Sequence, residues 1–192
     1  MIKLLGISGS LRKRSFNTAL LRAAQASLPP NSTLELRTLH DIPLYDGDVE
    51  ATIGNPPGVL ALKSAIVAAD ALLLATPEYN GGIPGVFKNA IDWLSRPPAD
   101  SPRIFGAKPV ALIGASPGVY GTILSQAAWL PILKSLRTNV WTGGRILIAR
   151  ANFAFGEDGL LKEEAAQVQL QEFLRGFIAF VAQNTRPPSP HP

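Results

Sequence analysis

Three short and almost wholly apolar segments constrain the fold of this chain most: Ile2 to Ser8, Ala71 to Ala75 and Pro109 to Ala115. A strand with one face in water alternates apolar and polar residues, whereas a strand of a parallel sheet covered on both faces reads as a continuous apolar run. Segments with helical spacing separate these three runs. The pattern therefore predicts an α/β fold, in which a parallel sheet carries helices on both faces.

Further segments complete the predicted order of elements. Leu34 to Leu39 alternates apolar and polar residues, as an edge strand does, and Arg145 to Ala149 is the candidate for a fifth strand. The helical segments have apolar residues three and four positions apart; they are Thr18 to Ser27, Val59 to Ala69, Gly85 to Leu94, Thr122 to Leu136 and Leu161 to Gln183. We expect Pro131 to kink or divide the fourth of these helices.

The length and charge of the chain limit its organisation. Its 192 residues suit one domain, which we place at 1–183, followed by a proline-rich tail at 184–192 that we expect to be disordered. The net charge of +4 is scattered and forms no continuous basic stripe, so nucleic-acid binding is not expected. The chain has no apolar run long enough to span a membrane and no secretory signal pattern. We therefore expect a cytoplasmic protein without membrane contact.

The inventory of reactive side chains disfavours several chemistries. The chain has no cysteine, which removes disulfides, thiolate nucleophiles and thiolate metal sites. His40 and His191 are its only histidines, and a Ser-His-Asp triad would depend on His40 alone. Asp46 and Asp48 resemble the start of a cation site, but no further carboxylates follow at ligand spacing, so a solvated turn is the favoured interpretation.

The loop after the first strand, Gly9 to Thr18, has the composition of a phosphate site. It carries a glycine, the hydroxyls of Ser10 and Ser15 and three cations directly before a helix, whose N-terminus attracts anions. Arg12 can add a charged fork, and Asn17 could either bind the phosphate or cap the helix. The alternative is an ordinary capped turn with a solvated basic cluster. The loop matches neither the Gly-x-Gly-x-x-Gly fingerprint nor the P-loop.

The loop after the second apolar run, Thr76 to Pro84, interrupts the chain with two prolines and two glycines. Pro77 prevents a helix and Gly81-Gly82 permit unusual backbone angles, so the loop could turn its N–H and C=O groups towards a flat polar ring such as a flavin. For Glu78, Tyr79 and Asn80 a plain surface turn is equally compatible with the sequence, and Glu78 is a weaker candidate for a general acid.

The loop after the third apolar run supplies Ser116 and Gly118, either beside the same ligand or in a bare turn. In an open parallel sheet, ligands bind beyond the carboxyl ends of the strands, where the winding direction reverses. The three loops are therefore expected to form one site.

Three segments together resemble the NADPH-dependent FMN reductase family, a flavodoxin-like group that includes bacterial quinone, chromate and azo-dye reductases. These segments are GSLRKRSFN from Gly9, DIPLYDGD from Asp41 and TPEYNGGIPGVFKNAIDWLSR from Thr76. The similarity extends from Ile2 to about Val181. It implies a five-stranded parallel sheet in the order 2-1-3-4-5, with FMN between the first and third strands.

The resemblance also implies which residues bind the cofactor. By position, the FMN phosphate would be held by Ser10, Arg12, Ser15, Phe16 and Asn17. The isoalloxazine ring would be lined by Pro77, Glu78, Tyr79, Asn80 and Gly81, with Ser116 nearby. Arg12, Lys13 and Arg14 cannot all reach one phosphate, so we expect at least one of them to contact the 2′-phosphate of NADPH.

The activity implied by the resemblance is hydride transfer from NADPH through bound FMN to a quinone or to a similar azo, nitro, chromate or flavin acceptor. The chemistry takes place on FMN N5, so no catalytic side chain and no metal is assigned. The alternatives are a flavodoxin-type electron carrier and a flavin-free scaffold protein.

The family typically forms dimers or tetramers, in which Tyr79, Phe87 and Trp93 would meet an apolar partner. For Phe87 and Trp93 the alternative is packing in the core of the chain itself. The segment Tyr120 to Leu124 departs from related sequences, which often carry two glycines and an arginine there, so contacts made at this place in the family are not carried over to this chain.

Overall fold

The computed structural model describes residues 1–184. Six strands form one sheet: β1 (Ile2–Ser8), β2 (Ser32–Arg37), β3 (Ala71–Ala75), β4 (Pro109–Ala115), β5 (Asn139–Val140) and β6 (Ile146–Ile148). The helices are α1 (Phe16–Ala26), α2 (Gly47–Ile53), α3 (Pro57–Ala68), α4 (Gly85–Leu94), α5 (Ser101–Phe105), α6 (Ile123–Ser135), α7 (Ala151–Ala154) and α8 (Glu164–Asn184). The predicted tail falls on 185–192, outside the described residues, apart from Asn184, which ends α8.

All strand pairs are parallel, and the strand order is β2-β1-β3-β4-β5. The predicted flavodoxin-like order is therefore confirmed, with one difference at the fifth position. That position is shared by two short strands, because β5 pairs with the start of β4 at Pro109 and Val110, while β6 pairs with its end from Ile113 to Ala115. The predicted fifth strand corresponds to β6 alone.

The segment between β5 and β6 packs against α8 through Trp141. The indole of Trp141 leaves the sheet and packs edge-on against Phe173 of α8, with ring centroids 4.7 Å apart, and against Phe177 at 5.6 Å. A Cβ on Gly144 or Gly176 would lie within 3 Å of this indole. Packing this partly buried ring thus requires small residues around it.

Two apolar cores lie on opposite faces of the sheet. Alternate strand residues contribute to each, so that Leu4 and Leu73 face α1 and α8. Leu5 and Leu72 face the other layer, formed by α3, α4 and α6. The predicted stripe of α8 is buried at Leu170, Phe173, Leu174, Phe177 and Val181 and partly buried at Ile178.

Pro131 does not divide α6, contrary to one of the two outcomes expected for it. The helix runs from Ile123 to Ser135 with Pro131 inside it. Both Pro131 and Ala127, whose carbonyl loses its helical partner, are exposed, so water can hydrate that carbonyl group. Among residues 1–184, no helix has the length and apolar character needed to cross a membrane.

Candidate active site

The loops after β1, β3 and β4 meet at the carboxyl edge of the sheet and enclose a cleft. This cleft is lined by Ser10, Arg12, Ser15, Phe16, Asn17, Pro77, Glu78, Tyr79, Ala115, Ser116 and Pro117. Nine of the eleven residues named from the sequence are among them. The other two, Asn80 and Gly81, follow Tyr79 at the tip of the second loop and do not line the cleft.

The N-terminus of α1 supplies hydrogen-bond donors to this cleft. Ser15 is its N-cap, and the Ser15 hydroxyl accepts a hydrogen bond from Thr18 N at 3.2 Å. Ser10 and Ser15 are 4% and 5% exposed, and Ser10 Oγ accepts from Arg12 N at 3.3 Å. The N–H groups of a first helical turn have no intrahelical acceptor, and the first turn of α1 has no acidic residue. This donor set suits a phosphate group.

Asn17 does not cap α1, since Ser15 does, and its side-chain amide bonds to the end of β4. Nδ2 donates to the Ala115 carbonyl oxygen at 2.8 Å, and Oδ1 accepts from Ala115 N at 3.0 Å. The amide therefore fastens α1 to the end of β4, and Asn17 retains its backbone N–H and its second Nδ2 hydrogen as donors for a phosphate. Next to it, the Ser8 and Thr18 hydroxyls are 2.8 Å apart and hydrogen-bonded. A contact spanning 98 positions leaves no trace in a local pattern.

The second loop contains a tight hairpin. Tyr79 N donates to Gly82 O at 3.1 Å and Gly82 N to Tyr79 O at 3.0 Å, while Asn80 and Gly81 have φ values of 52° and 72°. Two central residues with positive φ are typical of a type I′ turn. The expectation that this loop turns its backbone groups towards a ligand instead of each other is thus wrong at Tyr79 and Gly82. The side chain of Tyr79 is half-exposed beside the cleft.

Glu78 joins this hairpin to α6. Its Oε2 accepts hydrogen bonds from Leu124 N at 2.8 Å and from Ser125 N at 3.0 Å. The N-cap residue of α6, Thr122, makes no side-chain capping bond, so the carboxylate of Glu78 satisfies the helix from another segment. A negative charge at a helix N-terminus is stabilising. Glu78 therefore positions the loop after β3 relative to α6.

The third loop is held against β6. Ser116 N donates to Ile148 O at 2.9 Å, and the Ser116 carbonyl accepts from Ala151 N at 3.0 Å. The hydroxyl of Ser116 accepts from Gly118 N at 3.2 Å and closes the turn. Ser116 is thus fixed at the rim of the cleft by its own backbone.

The sequence model of the NADPH-dependent FMN reductase family matches residues 2–153. The chain belongs to the NADPH-dependent FMN reductase family. It is accordingly an FMN-dependent NAD(P)H oxidoreductase, an enzyme and not only an electron carrier.

Individual relatives agree with this assignment over nearly their whole length. The reductase is 44% identical over 180 residues to an NAD(P)H-dependent FMN reductase of Pseudomonas aeruginosa, which covers 94% of this chain and 95% of the relative. It is 33% identical to a 2-hydroxy-1,4-benzoquinone reductase of a Burkholderia species, covering 94% and 96%. A solved structure of the Paracoccus denitrificans flavoenzyme NAD(P)H:(acceptor) oxidoreductase FerB superposes with a TM-score of 0.83 at 35% identity, covering 96% of this chain and 99% of that one.

Four of the perturbed titratable groups of the reductase lie outside the cleft, around α2 and the segment after α4. Glu50 accepts hydrogen bonds from Arg96 Nε at 2.9 Å and from the Tyr45 hydroxyl at 2.7 Å, and these bonds lower the pKa of Glu50. The bond to Glu50 raises the pKa of Tyr45. Lys63 Nζ lies 2.9 Å from Asp100 Oδ2 and lowers the pKa of that carboxyl group. These groups fasten a surface segment to the fold and do not face the cleft.

Two aromatic residues that were candidates for a subunit interface belong to the core of the chain. Phe87 and Trp93 are both fully buried. Phe87 packs edge-on against Trp129 and Trp93 against Tyr45, each pair with centroids 4.9 Å apart. The alternative of internal packing is therefore confirmed for both, and only Tyr79 of the three remains available to a partner.

Proposed function

We propose that the reductase binds FMN across this cleft and uses it to carry electrons from NADPH to a quinone. The proposal rests on the convergence of three loops in one cleft. The buried residues Ser10 and Ser15 and the start of α1 line this cleft together with Pro77 and Glu78. When bound, FMN supplies the redox chemistry, because it accepts a hydride from NADPH and reduces the acceptor.

The residues of the chain would bind and orient the cofactor. The phosphate would be held by Ser10, Ser15, Arg12 and the first-turn N–H groups of Phe16 and Asn17. The ring would lie along Pro77, Glu78 and Tyr79, with Ser116 at the rim. No acid–base side chain is needed. His40 has a structural role instead. Its Nε2 donates to the Leu11 carbonyl oxygen at 3.0 Å, and its Nδ1 lies 3.1 Å from Thr38 Oγ1.

Titration of the purified protein with FMN, followed by flavin fluorescence, tests this site. We expect Ser10→Ala to weaken FMN binding by about tenfold, because one hydrogen bond to a charged group contributes about 1.5 kcal/mol. Ser64→Ala, on the exposed face of α3, is the matched control and should bind FMN as the unchanged protein does. Failure of the unchanged protein to bind FMN at micromolar concentration would overturn the proposal.

A quinone is the acceptor class that we favour. The relative from Burkholderia is named for a benzoquinone, and a 45% identical quinone reductase of Escherichia coli matches 62% of this chain. The half-exposed ring of Tyr79 gives a flat acceptor an aromatic surface beside the cleft. Steady-state rates of NADPH oxidation with 1,4-benzoquinone, an azo dye, a nitroaromatic, chromate and free FMN test this choice, and a higher kcat/KM for any of the others would reject it.

A homodimer or homotetramer is also part of the proposal. Exposed apolar side chains follow one another before and along α6, at Val119, Tyr120 and Leu124. Leu124 lies against the hairpin, since a Cβ on Gly81 would be 3.4 Å from its methyl group. Covering this surface with a second copy would bury it beside the cleft. Light scattering during size-exclusion chromatography should give a mass of two or four chains, and Leu124→Asp should lower it.

We place the enzyme in the cytoplasm, where NADPH is produced. Fractionation of cells that express the chain should recover it with cytoplasmic marker enzymes. Recovery with the membrane or periplasmic fraction would contradict this location.

A further inference from the structure

A second hollow, of about 310 Å³, is lined by the loop after β1 and the start of α1. One wall is the start of α1, with the side chains of Arg12, Lys13, Arg14 and Arg22, and the facing wall is the loop from Gly156 to Gly159. We call these four cationic residues and this loop the basic groove. The groove shares Arg12, Ser15 and Phe16 with the cleft proposed to bind FMN, which we call the flavin cleft. The two hollows are therefore adjacent at these residues.

The groove carries a positive charge that the protein does not neutralise. Among residues 1–184, none of its four cations forms an ion pair within 4 Å. Its two acidic residues are Glu157 and Asp158, and the carboxylate of Asp158 accepts from Leu160 N at 3.0 Å and lies 3.7 Å from Lys162 Nζ. An anionic ligand would therefore meet a net excess of cations.

The facing wall, from Gly156 to Gly159, is a turn held by backbone hydrogen bonds. Gly156 N donates to Leu160 O and Gly159 N to Gly156 O, each at 2.9 Å. Phe155, directly before the turn, packs against Phe16 with ring centroids 5.6 Å apart. Arg14 Nη2 bridges the two walls by donating to the Glu157 carbonyl oxygen at 3.3 Å. The groove is thus largely formed before a ligand arrives, which lowers the entropic cost of binding.

We propose that the basic groove binds the 2′-phosphate end of NADPH and makes the enzyme prefer NADPH to NADH. The proposal rests on the proposed function. A phosphate monoester is dianionic and accepts paired hydrogen bonds from guanidinium groups, and this group is what distinguishes NADPH from NADH. Arg12 adjoins the flavin cleft and is left to the FMN phosphate. Lys13, Arg14 and Arg22 are the residues that would discriminate between the two nucleotides.

The test compares two triple variants with the same change in net charge. Lys13→Gln, Arg14→Gln and Arg22→Gln together remove the groove cations. Lys134→Gln, Arg137→Gln and Arg175→Gln together form the control, since these residues are also exposed and do not line the groove. With FMN bound, the groove variant should lose about 10- to 100-fold in kcat/KM for NADPH through a higher KM, because charged hydrogen bonds are removed. The value for NADH should stay close to that of the unchanged enzyme, and the control should change neither.

Binding of 2′,5′-ADP and of 5′-AMP, measured by calorimetry, provides a readout that does not depend on turnover. The unchanged protein should bind 2′,5′-ADP more tightly than 5′-AMP, and the groove variant should lose that difference. Equal kcat/KM values for NADPH and NADH in the unchanged enzyme, an equal loss for both nucleotides, or the same loss in the control would each overturn the proposal. The unchanged protein could bind 2′,5′-ADP more tightly than 5′-AMP and yet neither bind FMN nor reduce quinones. In that case the proposed function fails, whereas the assignment of the 2′-phosphate to the basic groove is retained.

Discussion

The side-chain amide of Asn17 is hydrogen-bonded to both backbone groups of Ala115, at 2.8 and 3.0 Å. Asn17 lies in the first turn of α1 and Ala115 is the last residue of β4. Both residues are buried, at 4% and 3% exposure. One side chain therefore fixes the start of α1 relative to the sheet, and the donors proposed for the FMN phosphate are held in place without a ligand.

Replacing Asn17 by Ala should destabilise the protein and weaken the cleft. The substitution leaves a buried N–H and a buried C=O of Ala115 without partners, so we expect the free energy of unfolding to fall by about 2–3 kcal/mol. Urea denaturation of the FMN-free protein measures this loss. Asn184→Ala, whose side chain bonds at the exposed end of α8, is the control and should change the free energy by less than about 0.5 kcal/mol. Equal losses in the two variants would contradict the role assigned to Asn17.

Glu78→Ala should loosen the hairpin and the start of α6 together. The variant removes a charged acceptor from two N–H groups of the helix, and we expect a loss of about 1–2 kcal/mol in unfolding free energy. Glu78→Gln keeps an acceptor but no charge and should lose less. Thermal or urea unfolding gives the stabilities, and Glu172→Ala on the exposed face of α8 is the control. Stability equal to that of the unchanged protein in Glu78→Ala would reject the capping role.

The central strands could be predicted from the sequence to the residue, because their apolar runs are bounded by turn-forming and polar residues. The predicted bounds of β1, β3, β4 and α4 are those of the structure. For α1 the prediction began two residues late, at Thr18, since Phe16 and Asn17 were assigned to the loop. The helix starts at Phe16 because Ser15 caps it.

Other features depend on contacts between distant segments and have no local signal. The helix α2 buries none of its residues and is attached through Glu50, which contacts Arg96 46 positions away. The strand β5 has only two residues, and it is defined by its pairing with β4 and not by a local sequence pattern. In the candidate site, the residue types could be named from the sequence, but the partners of Asn17 and Glu78 could not. Both side chains bond to segments far away in the sequence, which are neighbours only in the folded protein.

Gly9→Ala should disturb the beginning of the loop after β1. A Cβ at Gly9 would overlap the buried ring of Phe87, so either the ring or the loop must move. Overpacking of this kind typically lowers the free energy of unfolding by about 1–3 kcal/mol, and FMN affinity should fall with it. Gly85→Ala is the matched control, because a Cβ there meets no atom within 4 Å and alanine favours a helix. Denaturation midpoints and FMN dissociation constants of both variants test the prediction, which is wrong if Gly9→Ala behaves as Gly85→Ala does.

The ion pair of Lys63 and Asp100 gives the stability a defined pH dependence. Lys63 is 3% exposed, and its Nζ donates both to Asp100 Oδ2 at 2.9 Å and to the Arg96 carbonyl oxygen. The hydrogen bond from Lys63 lowers the pKa of Asp100 in the folded protein. A carboxylate with a lowered folded pKa adds stability above its unfolded pKa, about 3.9, and this stability is lost as the pH falls through the folded pKa.

Asp100→Asn should therefore destabilise the protein at neutral pH and matter less in acid. We expect a loss of about 1–3 kcal/mol at pH 7, because a buried ammonium group keeps only neutral acceptors. The difference from the unchanged protein should narrow as the pH falls below the unfolded pKa, about 3.9, because the unfolded chain then binds a proton that folded Asp100 does not yet bind. Urea unfolding at a series of pH values measures both quantities. Asp92→Asn breaks the exposed pair with Lys88 and should lose less than about 1 kcal/mol. The difference in unfolding free energy between Asp100→Asn and the unchanged protein could stay constant down to the lowest pH at which the protein folds. That result would show that the ion pair of Lys63 and Asp100 is not the source of this stability.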